Sequence, residues 1–384
     1  MKSKNKYNYG KQSIDWRDII SILKVLKSNF LTQGPEVKKF EDAICQYTGA
    51  KYCVAVSSCT AGLHIAMHAL DIKEGNEVIT SPITFLASAN CALYVGANTK
   101  FADIDPNTAC ISEFEIEKNI TKKTKAIIPV HFAGQSCDME KIKEISDKHN
   151  LFIIEDAAHA IGSDYKGSKV GSCKFSDMTI FSFHPVKNMT TGEGGAITTN
   201  DIDIYKKLLL LRSHGMTKDS NVLTKNDGPW YYECHNFGFN YRMTDIQAAL
   251  GISQLKKIEK FKKRRREIVN FYKQSFASDE RFDFLKENDC SNACFDLFPL
   301  LINFDKIKLS KKEVVKKLQE KGIVTQIHYI PVHLQPIYQK LGFRDGDFPK
   351  SEEYYKKAIS LPVYYHLDNR DLVKITNIIK NITQ

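Results

Sequence analysis

Short β-rich runs alternate with helical patterns between about residues 51 and 200, and this alternation constrains the fold more than any other feature. The runs are YCVAVS, NEVITS, KFADI, TKAIIPVHF, NLFIIED, DMTIFSF and GAITTN. Such an order predicts right-handed strand–helix–strand units and a mainly parallel sheet covered by helices. We therefore predict an α/β fold whose large domain contains a seven-stranded sheet.

The chain has 384 residues, which is more than one hydrophobic core usually supports. The pattern from Thr244 to about Phe276 predicts one long helix. After it, a loop rich in Asp, Asn and Ser leads to the predicted strands FDLFPLLINF and VTQIHYI and to charged amphipathic helices. We predict a large α/β domain over residues 1–260 and a small α+β domain over residues 261–384.

The sequence contains no run of 18 or more apolar residues, and its start, MKSKNKYNYGKQ, lacks the apolar stretch of a signal peptide. Its ten cysteines are scattered and form no CxxC pair. Scattered cysteines of this kind are typical of reduced thiols. We therefore expect a cytoplasmic protein that does not bind a membrane.

The formal net charge is +10, and five consecutive basic residues lie between Lys262 and Arg266. A basic run can mark a nucleic-acid surface, but this run lies in a helical pattern, where a solvated helix face is the favoured interpretation. We expect no nucleic-acid partner. The surplus charge instead favours a small polyanionic substrate, such as a nucleotide-activated molecule.

Lys187 is the first candidate for a catalytic side chain. It follows the strand TIFSF in the loop SFHPVKNMTTGEGG, at the sheet edge where parallel sheets bind their ligands. A lysine that is desolvated becomes a nucleophile and condenses with an aldehyde. The alternative, a solvated loop lysine, stays open from the residues alone.

Asp156 closes the very apolar strand LFIIE, so its carboxylate needs a partner. Strand alternation directs Glu155 to the opposite face of the sheet. The ring nitrogen of pyridoxal 5'-phosphate (PLP) is such a partner, because a carboxylate keeps it protonated. The alternative is that Asp156 caps a helix over AAHAIG.

A phosphate binds well at a helix amino terminus that also offers hydroxyl groups. The segment SSCTAGLHIAMHAL provides Ser58 and Thr60 at such a position, and Ser182 adds a hydroxyl from the strand before Lys187. Each of these hydroxyls could equally be a helix cap. Phe85 can stack on a flat ring, although a core phenylalanine is the more common case.

Three other patterns favour different sites and are weaker. His64 and His68 are spaced as a metal pair on one helix, but the glutamate of HExxH is absent. GSDYKGSK does not match a phosphate-binding P-loop, and GEGG does not match the dinucleotide-binding GxGxxG pattern. We expect no metal.

Eight segments together resemble the DegT/DnrJ/EryC1/StrS nucleotide-sugar aminotransferases over nearly the whole chain. They are LTQGPEVKKFE, SSCTAGLHIAM, SPITFLASAN, VHFAGQSCDM, IIEDAAHAIGS, SFHPVKNMTTGEGGAI, FNYRMTDIQAALG and IHYIPVHLQPIY. The resemblance implies a fold type I PLP-dependent transferase. It also implies a homodimer with shared active sites.

The resemblance implies roles for individual residues, which we state by their positions in this chain. Lys187 forms the Schiff base with PLP, Asp156 contacts the pyridine nitrogen and His159 lies near the ring hydroxyl. Phe85 stacks on the ring, Thr60, Ala61 and Ser182 hold the phosphate, and Asn240 reaches the phosphate in the neighbouring subunit. His159 departs from the pattern, since many relatives have glutamine there.

Within the family, RSHGM and DGPWYYE are similar to segments of C4 aminotransferases of pseudaminic acid biosynthesis. The resemblance implies transfer of the amino group of L-glutamate to UDP-2-acetamido-2,6-dideoxy-β-L-arabino-hex-4-ulose. The nucleotide is expected near Arg242, His328 and Tyr329. Three alternatives stay open: another UDP- or dTDP-4-keto sugar as substrate, a sugar dehydratase, whose relatives have histidine in place of the lysine, and a non-catalytic sugar-nucleotide binder.

Overall fold

The computed structural model describes residues 7–384. Residues 1–6, which belong to the amino-terminal segment of the predicted large domain, lie outside the described residues. The helices are α1 (Trp16–Leu26), α2 (Pro35–Thr48), α3 (Cys59–Ala69), α4 (Leu86–Tyr94), α5 (Glu113–Asn119), α6 (Met139–His149), α7 (Ile202–Arg212), α8 (Asp245–Leu255), α9 (Ile258–Phe276), α10 (Lys311–Glu320), α11 (Pro336–Lys340), α12 (Pro349–Lys357) and α13 (Asn369–Ile382). None of these helices is both long and apolar enough to cross a bilayer.

The strands form one large sheet and several small ones. They are β1 (Tyr52–Val56), β2 (Glu77–Thr80), β3 (Asn98–Phe101), β4 (Thr124–Ile128), β5 (Phe152–Asp156), β6 (Asp164–Tyr165), β7 (Ser168–Lys169), β8 (Met178–Ser182), β9 (Gly195–Thr199), β10 (Met216–Thr217), β11 (Glu233–Cys234), β12 (Phe282–Phe284), β13 (Ser291–Asn292), β14 (Phe298–Ile302) and β15 (Ala358–Leu361).

The large sheet has seven strands in the order β1-β9-β8-β5-β4-β2-β3. Strand β9 is antiparallel to both of its neighbours, and the pairs from β8 to β3 are parallel. All seven predicted runs contribute a strand to this sheet, so the mainly parallel seven-stranded sheet is confirmed. Strands β1, β5 and β8 therefore end at the same edge, which places the loops that follow them side by side.

Helix α3 packs on the large sheet through its predicted apolar stripe. Leu63, Ala66, Met67 and Leu70 are all buried in one core cluster with strand residues such as Ile180. Close packing depends on Gly62, because a Cβ atom there would lie 3.0 Å from the Ile180 side chain. The packing fixes the start of α3 at the carboxyl edge of the sheet.

A second, antiparallel sheet is formed by β12, β14 and β15 in the carboxy-terminal part of the chain. Its core cluster includes buried side chains from α9, α10 and α13. FDLFPLLINF forms β14, as predicted. The predicted strand VTQIHYI is wrong, since only Gln326 pairs there, as an isolated bridge to Ser360. The predicted domain boundary falls within α9 and stays a prediction.

The predicted single helix from Thr244 to about Phe276 is wrong, because the chain forms α8 and α9 with a break between them. The two helices have different partners: α8 packs on α1 and α2, whereas α9 packs on α13 and β12. Lys257, at the break, pairs with the fully buried Asp18 at 2.6 Å. The apolar repeat continues across the break, which is why the sequence pattern resembles one helix.

The basic run of α9 is a solvated helix face only in part, since Lys263 is exposed and the other four residues are partly or fully buried. Lys262 and Arg265 are buried. Lys262 pairs with Asp164 at 2.5 Å, and Arg266 pairs with Glu287 at 2.7 Å. The Arg265 guanidinium donates to three main-chain carbonyls. These cations therefore hold segments of the fold together.

Candidate active site

A cavity of about 620 Å³ opens at the carboxyl edge of the large sheet. The loops after three strands of the sheet contribute Ser58, Cys59, Thr60, Asp156, Ala158, His159, Ser182, His184 and Lys187 to its wall. The rest of the lining includes Tyr9, Phe85 and the segment 326–330. Eight predicted site residues thus line one cavity: Lys187, Asp156, His159, Phe85, Thr60, Ser182, His328 and Tyr329.

Lys187 lies in a tight turn after β8, where its backbone N–H donates to the His184 carbonyl at 2.9 Å. Its side chain is only 14% exposed, so Lys187 is not a solvated loop lysine. The charged group nearest to its Nζ atom is Asp296, whose Oδ2 lies at 3.7 Å. An amine on a cavity wall, shielded from solvent, is suited to react with a carbonyl compound.

Asp156 is the buried last residue of β5. Its Oδ2 accepts a hydrogen bond from Ser88 Oγ at 2.5 Å, and its Oδ1 accepts one from the Ala158 N–H at 3.0 Å. No helix follows over AAHAIG, so the helix-cap alternative is wrong. No lysine, arginine or histidine in the described part of the chain forms an ion pair with Asp156, so a cation bound in the cavity would find an unmatched carboxylate.

Glu155 points away from the cavity, as strand alternation predicts. It accepts hydrogen bonds from His131 Nε2 at 2.6 Å and from Thr179 Oγ1 at 2.9 Å, and it also contacts Ser176. Burial raises the pKa of Glu155, but these donors outweigh burial and lower it. The two adjacent carboxylates therefore have separate surroundings.

The start of α3 forms a polar end of the cavity. Ser58 is the helix cap and accepts a hydrogen bond from the Ala61 N–H at 3.1 Å, which confirms the capping alternative for this residue. Gly195 allows β9 to approach closely, because a Cβ there would lie 2.7 Å from the Cys59 nitrogen. Thr60 and Ser182 line the cavity, whereas Ala61 does not. A helix start of this kind fits a phosphate group.

His159 and Tyr329 are in contact on the cavity wall, where His159 Nε2 lies 3.0 Å from the Tyr329 hydroxyl oxygen. Burial, together with Lys187 and His328, holds the pKa of His159 well below its ordinary value, so the ring is neutral. Its Nδ1 is buried and has no partner among residues 7–384, so a polar group of a bound molecule can pair with it.

Phe85 is 59% exposed and lies on the cavity wall, so it is not a core phenylalanine. Its ring centroid is 6.2 Å from that of Tyr329. An aromatic face that is open to a cavity can stack on a flat ring. Together with the phosphate-suited helix start and the unmatched Asp156 carboxylate, this surface fits PLP.

Asn240 and Arg242 do not line the cavity. Asn240 pairs with Ser213 and Arg242 with Val56, each through an isolated bridge. Asn240 is exposed. Their roles toward a neighbouring subunit and toward the nucleotide therefore stay predictions.

His64 and His68 lie with ring centroids 5.0 Å apart, and His64 Nδ1 is 3.1 Å from the Tyr241 hydroxyl. Within residues 7–384, no group of three or more His, Cys, Asp or Glu side chains is placed to hold a metal ion. Burial lowers the pKa of both histidines. We interpret them as part of an aromatic cluster with Phe239.

Two residues that the sequence analysis missed belong to the site. Ser88 fixes the orientation of Asp156, and Asp296 lies beneath Lys187. Ser88 falls in the quoted segment SPITFLASAN, where the helical period of about 3.6 residues could have placed it on the inner face of α4. Asp296 is distant from Lys187 in sequence and follows the mixed polar and apolar segment DCSNACF, so no sequence pattern indicates it.

Ser88→Ala is expected to lower the free energy of unfolding by about 1.5–3 kcal/mol, because a buried charged acceptor loses a donor. Urea unfolding of the purified chain measures this loss. Ser146→Ala is the matched control, since this buried hydroxyl donates to the neutral carbonyl of Leu151 at 2.6 Å. An equal loss in both variants would contradict a stabilising role of the Ser88–Asp156 hydrogen bond beyond that of an ordinary buried hydroxyl.

His328 has its pKa lowered from 6.5 to about 3, by burial first and by Lys187 second. Because the folded chain binds this proton less readily than the unfolded chain, stability is lost as the pH falls from about 6.5 toward 3. The loss reaches at most about 1.4 kcal/mol per pH unit. His328→Gln should therefore show a smaller fall in Tm between pH 7 and pH 5 than the unmodified chain.

Gln keeps a polar group for Ser360, whose Oγ lies 2.8 Å from His328 Nδ1. The exposed His366→Gln variant is the control and is expected to follow the original pH profile. If both variants and the unmodified chain showed the same change of Tm with pH, His328 would not be a group that takes up a proton on unfolding.

The comparisons with known proteins agree on one family. A model of the DegT/DnrJ/EryC1/StrS aminotransferase family matches residues 12–380. The UDP-4-amino-4,6-dideoxy-N-acetyl-beta-L-altrosamine transaminase of Campylobacter jejuni is 39% identical over 366 residues, which covers 94% of each chain.

Two solved structures are similar over nearly the whole chain. Helicobacter pylori PseC, an aminotransferase involved in the biosynthesis of pseudoaminic acid, has a TM-score of 0.90 at 34% identity, covering 98% of this chain and 99% of PseC. The PLP-form of the putative sugar aminotransferase Spr1654 from Streptococcus pneumoniae has a TM-score of 0.91 at 30% identity, covering 98% and 99%. These similarities confirm the fold type I architecture.

Proposed function

The chain belongs to the DegT/DnrJ/EryC1/StrS aminotransferase family of PLP-dependent enzymes, and from this premise we propose that it aminates C4 of a UDP-4-keto-6-deoxy-N-acetylhexosamine. The substrate that we propose is UDP-2-acetamido-2,6-dideoxy-β-L-arabino-hex-4-ulose, with L-glutamate as amino donor. The product is then UDP-4-amino-4,6-dideoxy-N-acetyl-β-L-altrosamine, a compound of the pseudaminic acid pathway.

The observation that supports a catalytic role best is the position of Lys187 and Asp156 on one cavity wall. Lys187 offers a shielded amine, and Asp156 offers a carboxylate without an ion-pair partner within residues 7–384. A non-catalytic binder has no need for either arrangement. The lysine also argues against a sugar dehydratase, whose relatives have histidine there.

PLP, when bound, supplies an aldehyde that takes up amino groups and a ring that withdraws electrons from the carbon atom next to nitrogen. Lys187 Nζ anchors that aldehyde before the donor arrives. It then moves the proton at Cα of L-glutamate, and in the second half of the reaction it delivers a proton to C4 of the sugar. The release of 2-oxoglutarate consumes one water molecule and precedes the amination of the sugar, in which condensation with the C4 ketone gives one water molecule back.

The remaining side chains bind and orient. Asp156 keeps a proton on the ring nitrogen, while Ser88 holds the carboxylate in place. Thr60, Ser182 and the start of α3 would hold the phosphate, and Phe85 would stack on the cofactor ring. His159 presents its unpartnered Nδ1 to the ring hydroxyl.

The nucleotide and the second subunit complete the proposal. We place the UDP group near Arg242, His328 and Tyr329, since basic and aromatic side chains suit a nucleotide diphosphate. Asn240, exposed and outside its own cavity, would reach the phosphate in the other subunit of a homodimer. We also propose that the dimer works in the cytoplasm.

The substrate test offers UDP-4-keto hexoses, UDP-4-keto pentoses and dTDP-4-keto-6-deoxyhexoses to the PLP-loaded chain with L-glutamate. Release of 2-oxoglutarate measures turnover, and mass spectrometry identifies the aminosugar. We expect the N-acetylated UDP-hexose to react fastest. Amination of the pentose alone would overturn the pseudaminate assignment and favour the alternative that another nucleotide 4-keto sugar is the substrate.

A further inference from the structure

Asp296 is a fully buried carboxylate directly beside Lys187, with only 2% of its side chain exposed. Three potential cations surround it at similar distances. Lys187 Nζ lies at 3.7 Å, His159 Nε2 at 3.9 Å and Arg265 Nη1 at 3.9 Å. Asp296 Oδ1 has no hydrogen-bond partner among the described residues.

A buried carboxylate without direct hydrogen bonds is costly unless a cation balances its charge. His159 is neutral, as its lowered pKa indicates. Arg265 already donates to three main-chain carbonyls. Lys187 is therefore the cation whose charge Asp296 can balance without competition from other acceptors.

The backbone around Asp296 is fixed on both sides. Its N–H donates to the Ala133 carbonyl at 3.0 Å, and its carbonyl accepts from Arg265 at 3.3 Å. Cys294, two residues before Asp296, is held by Asn188, whose Nδ2 donates to the Cys294 carbonyl at 2.9 Å. Asn188 is also the residue after Lys187, so one contact fixes the lysine loop and the aspartate segment relative to each other.

We propose that Asp296 is a positioning residue that holds the free Lys187 side chain as an ion pair whenever this amine is not attached to the cofactor. The pair keeps Nζ at the cavity wall between the two half-reactions, and the amine condenses with the aldehyde again once it has lost a proton. The inference rests on the proposed function in taking Lys187 as the cofactor-binding amine. It adds a residue that no sequence pattern indicates.

The charged and titratable groups that face Asp296 come from every neighbouring element. They are Lys187 and His184 after β8, His159 after β5, Arg265 on α9, Cys294 on its own segment, Tyr329 and the amino-terminal Tyr9. Burial raises the pKa of Asp296, while Lys187 and Arg265 offset part of that rise. Lys187 is thus the larger of the two cationic contributions that oppose the effect of burial on Asp296.

The first test measures how fast Lys187 is acetylated by acetic anhydride at one fixed pH in the full-length chain prepared without cofactor. Pairing with a carboxylate keeps an amine in its unreactive charged form. Asp296→Asn is expected to raise the acetylation rate of Lys187 about tenfold or more, because the neutral amide no longer forms an ion pair with the amine. Peptide mass spectrometry gives the rate for each lysine.

Asp296→Glu restores the charge and is expected to bring the rate back to within about twofold of the original chain. Asp283→Asn, an exposed aspartate on β12, is the matched control. The exposed Lys141 is the internal reference, whose rate should not change in any variant. An unchanged Lys187 rate in Asp296→Asn would overturn the proposal.

A second test does not require Asp296→Asn to fold. In Lys187→Met the carboxylate loses its nearest cation, which raises the pKa of Asp296 further above its unfolded value. A carboxyl group whose pKa is raised in the folded chain stabilises the fold at low pH. This stabilisation is lost as the pH rises from the unfolded pKa through the folded pKa. Lys187→Met should therefore lose at least about 2 °C more in Tm between pH 5 and pH 8 than the original chain.

Lys141→Met is the control for this second test. The double variant Lys187→Met/Asp296→Asn should lose the additional pH dependence, since no buried carboxylate remains. Parallel Tm profiles for Lys187→Met and the original chain would overturn the ion pair. Neither test measures turnover. If the chain released no 2-oxoglutarate, the proposed function would be refuted, but the acetylation rates and the Tm profiles would still test the ion pair.

Discussion

Lys187→Ala is expected to reduce 2-oxoglutarate release by about 10⁴-fold or more and to abolish covalent attachment of PLP. The amine acts twice in the proposed reaction, as the anchor of the aldehyde and as the group that moves protons at the two substrate carbons. General acid–base catalysis alone contributes about 10²–10⁴-fold. Steady-state assays and borohydride reduction of the PLP-loaded chain measure the two losses.

Two controls separate chemistry from folding in this prediction. Lys187→Arg keeps a cation beside Asp296 but cannot condense with an aldehyde, so it should fold normally and still lack turnover. The exposed Lys225→Ala should leave turnover unchanged. If Lys187→Ala kept more than a tenth of the original rate, Lys187 would not be the proton-transferring group.

Asp156→Asn is expected to lower turnover by about 10²-fold or more. An amide cannot hold a proton on the ring nitrogen, and loss of a carboxylate beside a cation shifts its protonation by about 1–3 pH units. Because PLP keeps its other contacts, binding should weaken less than turnover. Titration with PLP and the rate of 2-oxoglutarate release distinguish the two effects.

Glu155→Gln is the matched control for Asp156→Asn. It removes the neighbouring carboxylate of the same strand, whose partners His131, Ser176 and Thr179 lie outside the cavity wall. We expect a loss of stability and a turnover rate within about twofold of the original. Equal losses of turnover in both variants would mean that strand β5 matters only for folding.

The strands were predictable from the sequence because each apolar run is short and ends at polar residues. The edge at which β1, β5 and β8 end follows from parallel pairing, so the meeting of Lys187, Asp156 and Thr60 was predictable too. The strand order was not, because pairing is decided by contacts between distant segments. The break at Lys257 was missed because the apolar repeat continues through it.

The remaining parts of the site lay beyond sequence reasoning for physical reasons. Asp296 lies beside Lys187 because Asn188 bonds the Cys294 carbonyl and Arg265 of α9 bonds the Asp296 carbonyl, and both are tertiary contacts. The basic residues of α9 looked solvated because a charge run says nothing about its partners, and Asp164 and Glu287 lie far away in sequence. Arg242 and Asn240 concern a nucleotide and a second subunit, so they stay predictions.

The most direct test of the account is to reduce the PLP-loaded chain with borohydride and to locate the label by peptide mass spectrometry. We expect one label per chain, on Lys187, and none after incubation with L-glutamate has released that amine. A label on another lysine, or no label at all, would contradict the assignment of this cavity as the active site.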